Sequence, residues 1–193
     1  MPANGPHKQK LPTMSRQDRL RRVVILCCNF ARNLACYRSG QSSQHKSLLD
    51  PATCAEANFW RVTNSNFIDM CVLEWCKLFA DKSGKHYWAS VVTDATGFDT
   101  ALLKHLDVSA EEWQEQIEVM RRYRDKFLAH LDSDYLMNIP HLDMAKNAVW
   151  FYHSWVVCRE AKAGDLNNLP NELDNGFQQS QSEAARVFEA HLR

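Results

Sequence analysis

The chain has 193 residues, of which 45% are hydrophobic, so it can bury a single core without disulfide or metal support. Lysine plus arginine equal aspartate plus glutamate at 23 each. This balance excludes a global field that would draw the chain to nucleic acid or to an anionic membrane, so a polyanionic partner must be met by a local patch. No apolar run approaches the roughly 18 residues of a membrane-spanning helix, and we expect a soluble protein without a membrane partner.

Seven cysteines are scattered along the sequence. Most lie in segments predicted as helices, where cysteine behaves as a small buried hydrophobe, and this usage is typical of a reducing, cytoplasmic compartment. The spacing of Cys27, Cys28, Cys71 and Cys76 does not fit zinc ligands, and the sequence has no Glu-x-x-His pair and no glycine-rich phosphate loop. We therefore predict no metal and no cofactor.

The first half of the chain predicts a tail and two helices. Residues 1–14 are rich in proline and polar side chains and predict a flexible tail. Ser15 is a suitable N-cap for an amphipathic helix that we expect to end near Gly40. A second helix is predicted from Asp50-Pro51, with a bend or break at residues 63–66, which are poor helix formers, and a stop at Gly84.

The second half of the chain predicts further helices. Ser109 and Glu112 form a predicted capping box that begins a helix expected to run to Leu131. Pro140 precedes another helix that we expect to end at Gly164, and residues 165–193 predict a linker and a short C-terminal helix. The sequence therefore predicts an all-α fold, a single-domain helical bundle of four to five main helices over residues 15–164.

One charged residue interrupts the apolar register of the helix that begins at Ser109. Trp113, Ile117 and Met120 occupy successive core positions at three-four spacing, and Arg124 takes the next one. An unpaired buried guanidinium would cost several kcal/mol, so Arg124 must reach solvent, pair with a carboxylate or face a partner surface. Glu74, also in an apolar register, is the candidate partner.

Residues 124–130 have the sequence RDKFLAH, in which an arginine and a polar residue precede a histidine near a helix end. This pattern resembles the motif of the HEPN superfamily, and Arg124, Asp125 and His130 match it residue by residue. Together with the GKHYW stretch at residues 84–88, the chain resembles the abortive-infection U-type HEPN-like proteins over roughly residues 15–165.

The resemblance implies a homodimeric, HEPN-like helical domain that is often a metal-independent endoribonuclease, with the two motif helices meeting across a two-fold axis. It also implies an effector of a toxin–antitoxin or abortive-infection system in antiphage defence, with RNA as its target and a protein antitoxin or regulator as a further partner.

The chemistry of the motif residues agrees with RNA cleavage. His130 can transfer a proton near neutral pH, Arg124 can stabilise the charge of the phosphorane, and Asp125 can orient either of them. Arg121 and Lys126 are candidates for RNA binding through phosphates. In an ideal helix His130 lies about 120° around the axis from Arg124 and about 9 Å along it, so a site needs a distorted helix end or a second protomer.

Two alternatives remain open from the sequence. A non-catalytic helical interaction module, such as an antitoxin or a regulatory subunit, needs no reactive histidine, since His130 can be a helix-terminal residue favoured by the macrodipole and Arg124 a structural ion pair. His86, Tyr87 and Trp88 can form an RNA-stacking or dimer-contact surface, or Trp88 can simply close the core.

Overall fold

The computed structural model describes residues 14–125 and 139–192, and within those ranges it contains helices and no strand. The α-helices are α1 (Arg16–Gly40), α2 (Ala57–Phe79), α3 (Trp88–Val91), α4 (Ala95–Leu106), α5 (Ala110–Tyr123), α6 (Leu142–Trp155) and α7 (Leu173–Glu189). A 3-10 turn at Lys46–Leu49 precedes α2, and a π-helical turn at Val156–Glu160 extends α6. The predicted all-α bundle is confirmed.

Helix α1 is the central helix of the bundle and packs against α2, α6 and α7. It begins as predicted, because the side chain of Ser15 accepts a 3.0 Å hydrogen bond from the backbone N–H of Asp18. Its apolar stripe, which includes Leu20, Val24 and Leu34, is fully buried. Each such side chain contributes about 1.5–3 kcal/mol relative to an exposed position, so burial of this stripe holds the bundle together.

Helix α2 begins six residues later than predicted, at Ala57. The carboxylate of Asp50 accepts a 2.9 Å hydrogen bond from the N–H of Ala52, so it caps a tight turn instead of a helix, and the predicted start at Pro51 is wrong. The predicted break at residues 63–66 is also absent, because Asn64 is buried against α1. A Cβ at Gly40 would clash with the side-chain amide of Asn64, so glycine at residue 40 provides the space for this buried side chain.

Helix α5 begins with the predicted capping box. The hydroxyl of Ser109 accepts from the N–H of Glu112 at 3.2 Å, and Oε2 of Glu112 accepts from the N–H of Ser109 at 2.7 Å. Trp113 then packs edge to face against Trp75 and Phe79 of α2, with ring centroids 5.5 Å apart in each pair. These contacts dock α5 on the second half of α2.

The C-terminal helix belongs to the same core as the other helices. Helix α7 begins at Leu173, within the segment predicted as a linker, and packs along α1. Leu173 and Phe177 join the main apolar cluster, while Phe188 forms a smaller cluster with Leu48 and Trp60. The preceding chain turns at Gly164, whose φ of 88° suits a residue without a side chain.

Several predicted features lie outside the described residues. These are the N-terminal tail up to residue 13, Lys126, His130 and the predicted helix end at Leu131. Within the described ranges, no helix is both long and apolar enough to cross a membrane.

Candidate active site at the end of helix α5

Arg124 is the first residue after α5, where the α-helix passes into a π-helical turn that includes Asp125. Its side chain is only 19% exposed and contacts two carboxylates. Nε donates to Oδ1 of Asp125 at 2.8 Å, and Nη1 donates to Oδ1 of Asp81. An arginine in a core register is therefore stabilised by pairing, as its chemistry requires.

The partner of Arg124 differs from the one that the sequence suggested. Glu74 is buried and forms an ion pair with Lys77, with 3.1 Å between Oε2 and Nζ. It lies two turns of α2 before Asp81, about 10 Å along the helix axis, so the expected pairing of Arg124 with Glu74 is wrong. Asp81 follows the end of α2, where its backbone N–H donates to the carbonyl of Cys76 at 2.9 Å.

The two carboxylates keep the guanidinium charged. Burial lowers the pKa of Arg124, but the hydrogen bonds to Asp125 and Asp81 outweigh it and raise the pKa above its usual value. Two guanidinium nitrogens, Nε and Nη1, are thus held by protein carboxylates, and Nη2 is the nitrogen to which no described residue is hydrogen-bonded.

A second hydrogen bond fixes the last turn of α5. The hydroxyl of Tyr123 donates to Oδ1 of Asp69 at 2.7 Å. Burial raises the pKa of Asp69, and the hydrogen bond from Tyr123 partly offsets this effect. Tyr123 takes the buried position that the apolar register had assigned to residue 124, so the guanidinium lies at the edge of the core.

The predicted site residues fall into three groups. Arg124 and Asp125 lie together and are hydrogen-bonded to each other. Arg121 is exposed one turn earlier on α5 and belongs to the same neighbourhood, since Arg124, Asp81, Asp125 and Arg121 all act electrostatically on the thiol of Cys76. Lys126 and His130 are outside the described residues, so their contacts stay predictions.

The π-helical turn bears on the geometry of the motif. The offset of about 120° between Arg124 and His130 was calculated for an ideal α-helix. Arg124 and Asp125 belong to a π-helical turn, although the N–H of Arg124 still donates to the carbonyls of Met120 and Arg121, and such turns are frequent at functional sites. The π-helical turn at the first two residues of the motif favours a distorted helix end, which is one of the two alternative routes by which Arg124 and His130 can converge.

Sequence reasoning did not identify Asp81 or Asp69. Asp81 is 43 residues from Arg124, and no local pattern links a polar residue at the end of one helix with a guanidinium at the end of another. The available signal was general: an arginine in a core register requires a carboxylate, and Asp81 directly follows the last apolar residues of α2.

Other predicted features have simpler explanations. Trp88 is 9% exposed and stacks on Phe98 at 5.0 Å, so it closes the core instead of offering a stacking surface for RNA.

The part of the chain that the structure describes contains no group of three or more histidine, cysteine, aspartate or glutamate side chains suited to a metal ion. Burial raises the pKa of Cys76 to about 12, so its thiol stays protonated near the candidate site.

A groove of about 390 Å³ lies between α1 and α7, remote from the candidate site. Apolar side chains such as Ile25 and Leu173 line it together with Arg32 and Glu183, and neither Arg124 nor its two carboxylate partners contribute to it. The volume of this groove is therefore no guide to the position of the candidate active site.

Comparison with known proteins adds no identity to this description. No family model matches the sequence, no curated protein matches it, and no solved structure matches its fold.

Proposed function

We propose that the chain is an HEPN-like, metal-independent endoribonuclease of the toxin or abortive-infection type that acts as a homodimer. The observation that supports this proposal is the setting of Arg124. The guanidinium is mostly buried at the end of α5, Asp81 and Asp125 fix its orientation, and Arg124 begins the sequence motif that ends at His130.

The proposed reaction is an internal transesterification of RNA. The 2′-oxygen attacks the adjacent phosphorus, the bond from phosphorus to the 5′-oxygen breaks, and a 2′,3′-cyclic phosphate and a 5′-hydroxyl form. In the homodimer, one copy of His130 takes the proton of the 2′-hydroxyl and the other copy supplies a proton to the leaving 5′-oxygen, while Arg124 stabilises the charge that develops on the phosphorane oxygens. Protons and electrons balance without a metal or a redox partner.

The carboxylates have positioning roles in this proposal. Asp125 and Asp81 hold the guanidinium through Nε and Nη1, so its orientation is set before RNA binds. Arg121, exposed one turn away, and Lys126 bind neighbouring phosphates. In this arrangement the protein contributes a fixed orientation and fixed charges to catalysis, and neither has to reorganise during the reaction.

The homodimer is part of the proposal, although Arg124 does not require a partner surface, since Asp81 and Asp125 bind its guanidinium within one chain. A second protomer is needed because the single Arg and the single His of one motif are too few groups for both proton transfers. A cytoplasmic location is part of the proposal, because all seven cysteines are free.

The experiment that tests this function incubates the purified full-length chain with end-labelled RNA in the presence of EDTA. Cleavage that persists in EDTA and leaves 2′,3′-cyclic phosphate ends supports the proposal. The matched variant is His130→Ala, which should remove cleavage while circular dichroism and thermal melting remain close to those of the parent chain. Cleavage that is unchanged in His130→Ala would contradict the proposal.

A second candidate function, a non-catalytic antitoxin or regulatory subunit, is favoured by a different observation. Phe59, Val62 and Met70 are large apolar side chains on α2 that are 63%, 53% and 38% exposed and lie within about 80° of the helix circumference. If Phe59→Ser removed the toxicity of the chain in cells and His130→Ala did not, the toxicity would depend on this apolar surface and not on the motif.

A further inference from the structure

A group of basic side chains lies on α1, on the end of α2 and on the turn that leads to α3. Arg19 and Arg22 lie on α1, which packs against α2, Lys77 lies near the end of α2, and Lys85 lies beside His86 in the turn. Burial lowers the pKa of His86, and the positive charges of Arg22, Lys77, Arg19 and Lys85 lower it further. We call these four cations the basic face.

The positions of the cations are fixed to different degrees. Nη1 of Arg19 donates to the backbone carbonyl of Ser90 at 2.9 Å, which ties the guanidinium to the chain that follows the turn. Lys77 is 43% exposed and pairs with Glu74. Arg22 and Lys85 are exposed and have no ion pair among the described residues.

The charge of the basic face is largely uncompensated. In the part of the chain that the structure describes, the pair between Lys77 and Glu74 is the one ion pair that these four cations form. Asp18 lies one turn before Arg22, but its carboxylate accepts a hydrogen bond from Ser15 at the start of α1. Asp81, one turn after Lys77, pairs with Arg124 instead, so Arg19, Arg22 and Lys85 have no ion-pair partner among the described residues, on a chain whose formal net charge is zero. This local excess is the patch that a polyanion requires.

The basic face adjoins the candidate active site. Lys77 and Asp81 are four residues apart at the end of α2, about one helical turn or 6 Å along the axis. Asp81 is the carboxylate that holds Nη1 of Arg124. A backbone bound along the basic face is therefore led towards the guanidinium.

We propose that the basic face binds the phosphate backbone of single-stranded RNA and leads the strand to Arg124. The choice of RNA rests on the proposed function, since attack by a 2′-hydroxyl in line with the leaving oxygen needs a backbone that is free to rotate. A folded protein partner would need an apolar centre in its interface, and among the described residues Ile25 is the one exposed large apolar side chain within a helical turn of these cations, which is too little for such a centre.

The test measures binding of a single-stranded 2′-O-methyl oligonucleotide, which lacks the attacking hydroxyl and cannot be cleaved. The variant Arg22→Gln/Lys85→Gln removes two exposed cations without touching Arg124. Each lost contact should lower the slope of log K against log salt by about 0.7, which corresponds to about fivefold weaker binding at 0.1 M salt. Fluorescence anisotropy over a salt series measures both quantities.

Two control variants make this result specific. Arg22→Lys/Lys85→Arg keeps the charges and should retain the affinity. Lys46→Gln/Arg186→Gln removes two exposed cations elsewhere, and Lys46 lies near the opposite end of α2. An equal loss of affinity in this control, or no loss in Arg22→Gln/Lys85→Gln, overturns the proposal. Equal competition by polyglutamate would also overturn it, because the face would then bind acidic protein segments as well as RNA.

The outcomes separate this proposal from the proposed function. Cleavage of natural RNA should show a raised KM and an unchanged kcat in Arg22→Gln/Lys85→Gln. If the parent chain binds the oligonucleotide through the basic face but cleaves no RNA, the basic face stands and the nuclease falls. If it cleaves RNA and the variant binds normally, the nuclease stands and the basic face falls. A pH titration of the NMR signals of His86, with and without the oligonucleotide, adds an independent readout, since a bound phosphate backbone should raise the pKa of His86.

Discussion

The hydroxyl of Tyr123 donates a 2.7 Å hydrogen bond to the carboxylate of Asp69, and this contact joins α5 to α2 one residue before Arg124. Tyr123 is only 2% exposed, so its hydroxyl depends on protein partners. A polar contact within the mostly apolar packing of α5 on α2 therefore fixes the residue next to Arg124.

Tyr123→Phe tests the importance of this contact. The variant removes the hydroxyl and leaves the half-buried carboxylate of Asp69 without its donor, so the free energy of unfolding should fall by about 1–3 kcal/mol. Urea denaturation at neutral pH measures the change. Tyr37→Phe is the matched control, because the structure shows no hydrogen bond from the hydroxyl of that half-buried tyrosine within the described residues; an equal loss there would refute this explanation.

Glu160 provides a prediction about acid stability. Its carboxylate accepts hydrogen bonds from the N–H of Thr93 at 2.9 Å, from the hydroxyl of Thr93 at 2.7 Å, from Nε1 of Trp155 at 3.1 Å and from Arg16 at 2.5 Å. Burial alone would raise the pKa of Glu160, but these hydrogen bonds outweigh it and lower the pKa below its ordinary value of 4.5.

Because the pKa is lower in the folded chain, the stability that Glu160 contributes is fully present above about pH 4.5 and is lost as the pH falls through the folded value. Glu160→Gln should be less stable than the parent at pH 7, by about 1–3 kcal/mol, and the difference should shrink towards pH 3. Urea midpoints at a series of pH values measure this. A difference that stays constant over the series would show that the ionised carboxylate contributes nothing special.

Arg124 can be probed by separating charge from geometry. Arg124→Lys keeps the positive charge but cannot contact Asp81 and Asp125 through a planar fork, so kcat for RNA cleavage should fall by about 100-fold or more. Since Asp81 and Asp125 are 37% and 49% exposed, their carboxylates remain hydrated in the variant, and the stability loss should be only about 1–2 kcal/mol. Thermal melting checks the fold, and full activity in a folded Arg124→Lys chain would remove Arg124 from the mechanism.

The homodimer is a prediction that light scattering can decide. We expect a mass of twice 22.3 kDa at micromolar concentration, with a contact that includes the helix beginning at Ser109. A chain that is monomeric and still cleaves RNA would show that one copy of the motif suffices. A monomer without activity would favour the interaction module.

Local signals account for the parts of the fold that the sequence predicted well. The cap at Ser15 and the capping box at Ser109 each involve residues three apart, and the apolar stripes of α1 and α5 have the helical period, so neither needs knowledge of the tertiary structure. Asp50-Pro51 failed as a helix start because the same carboxylate can cap a turn. Local hydrogen bonding does not distinguish the two.

The sequence predicted only part of the candidate site. The motif identified Arg124 and Asp125, and the core register required a carboxylate for the guanidinium. The position of α5 along α2 decides whether Glu74 or Asp81 reaches Arg124. Tertiary packing, such as the contact of Trp113 with Trp75, fixes this position. The tolerance of Asn64 inside α2 has the same kind of cause, since Gly40 provides space for it from another helix.

The contact between Trp113 and Trp75 also gives the molecule a built-in optical signal. Two indoles with centroids 5.5 Å apart and planes inclined at 68° are close enough for their electronic transitions to couple, and one belongs to α5 and the other to α2. The near-ultraviolet circular dichroism of this pair should therefore depend on whether α5 is docked. A change of that signal on addition of RNA or of a protein partner would report movement of the helix that carries Arg124, without any label.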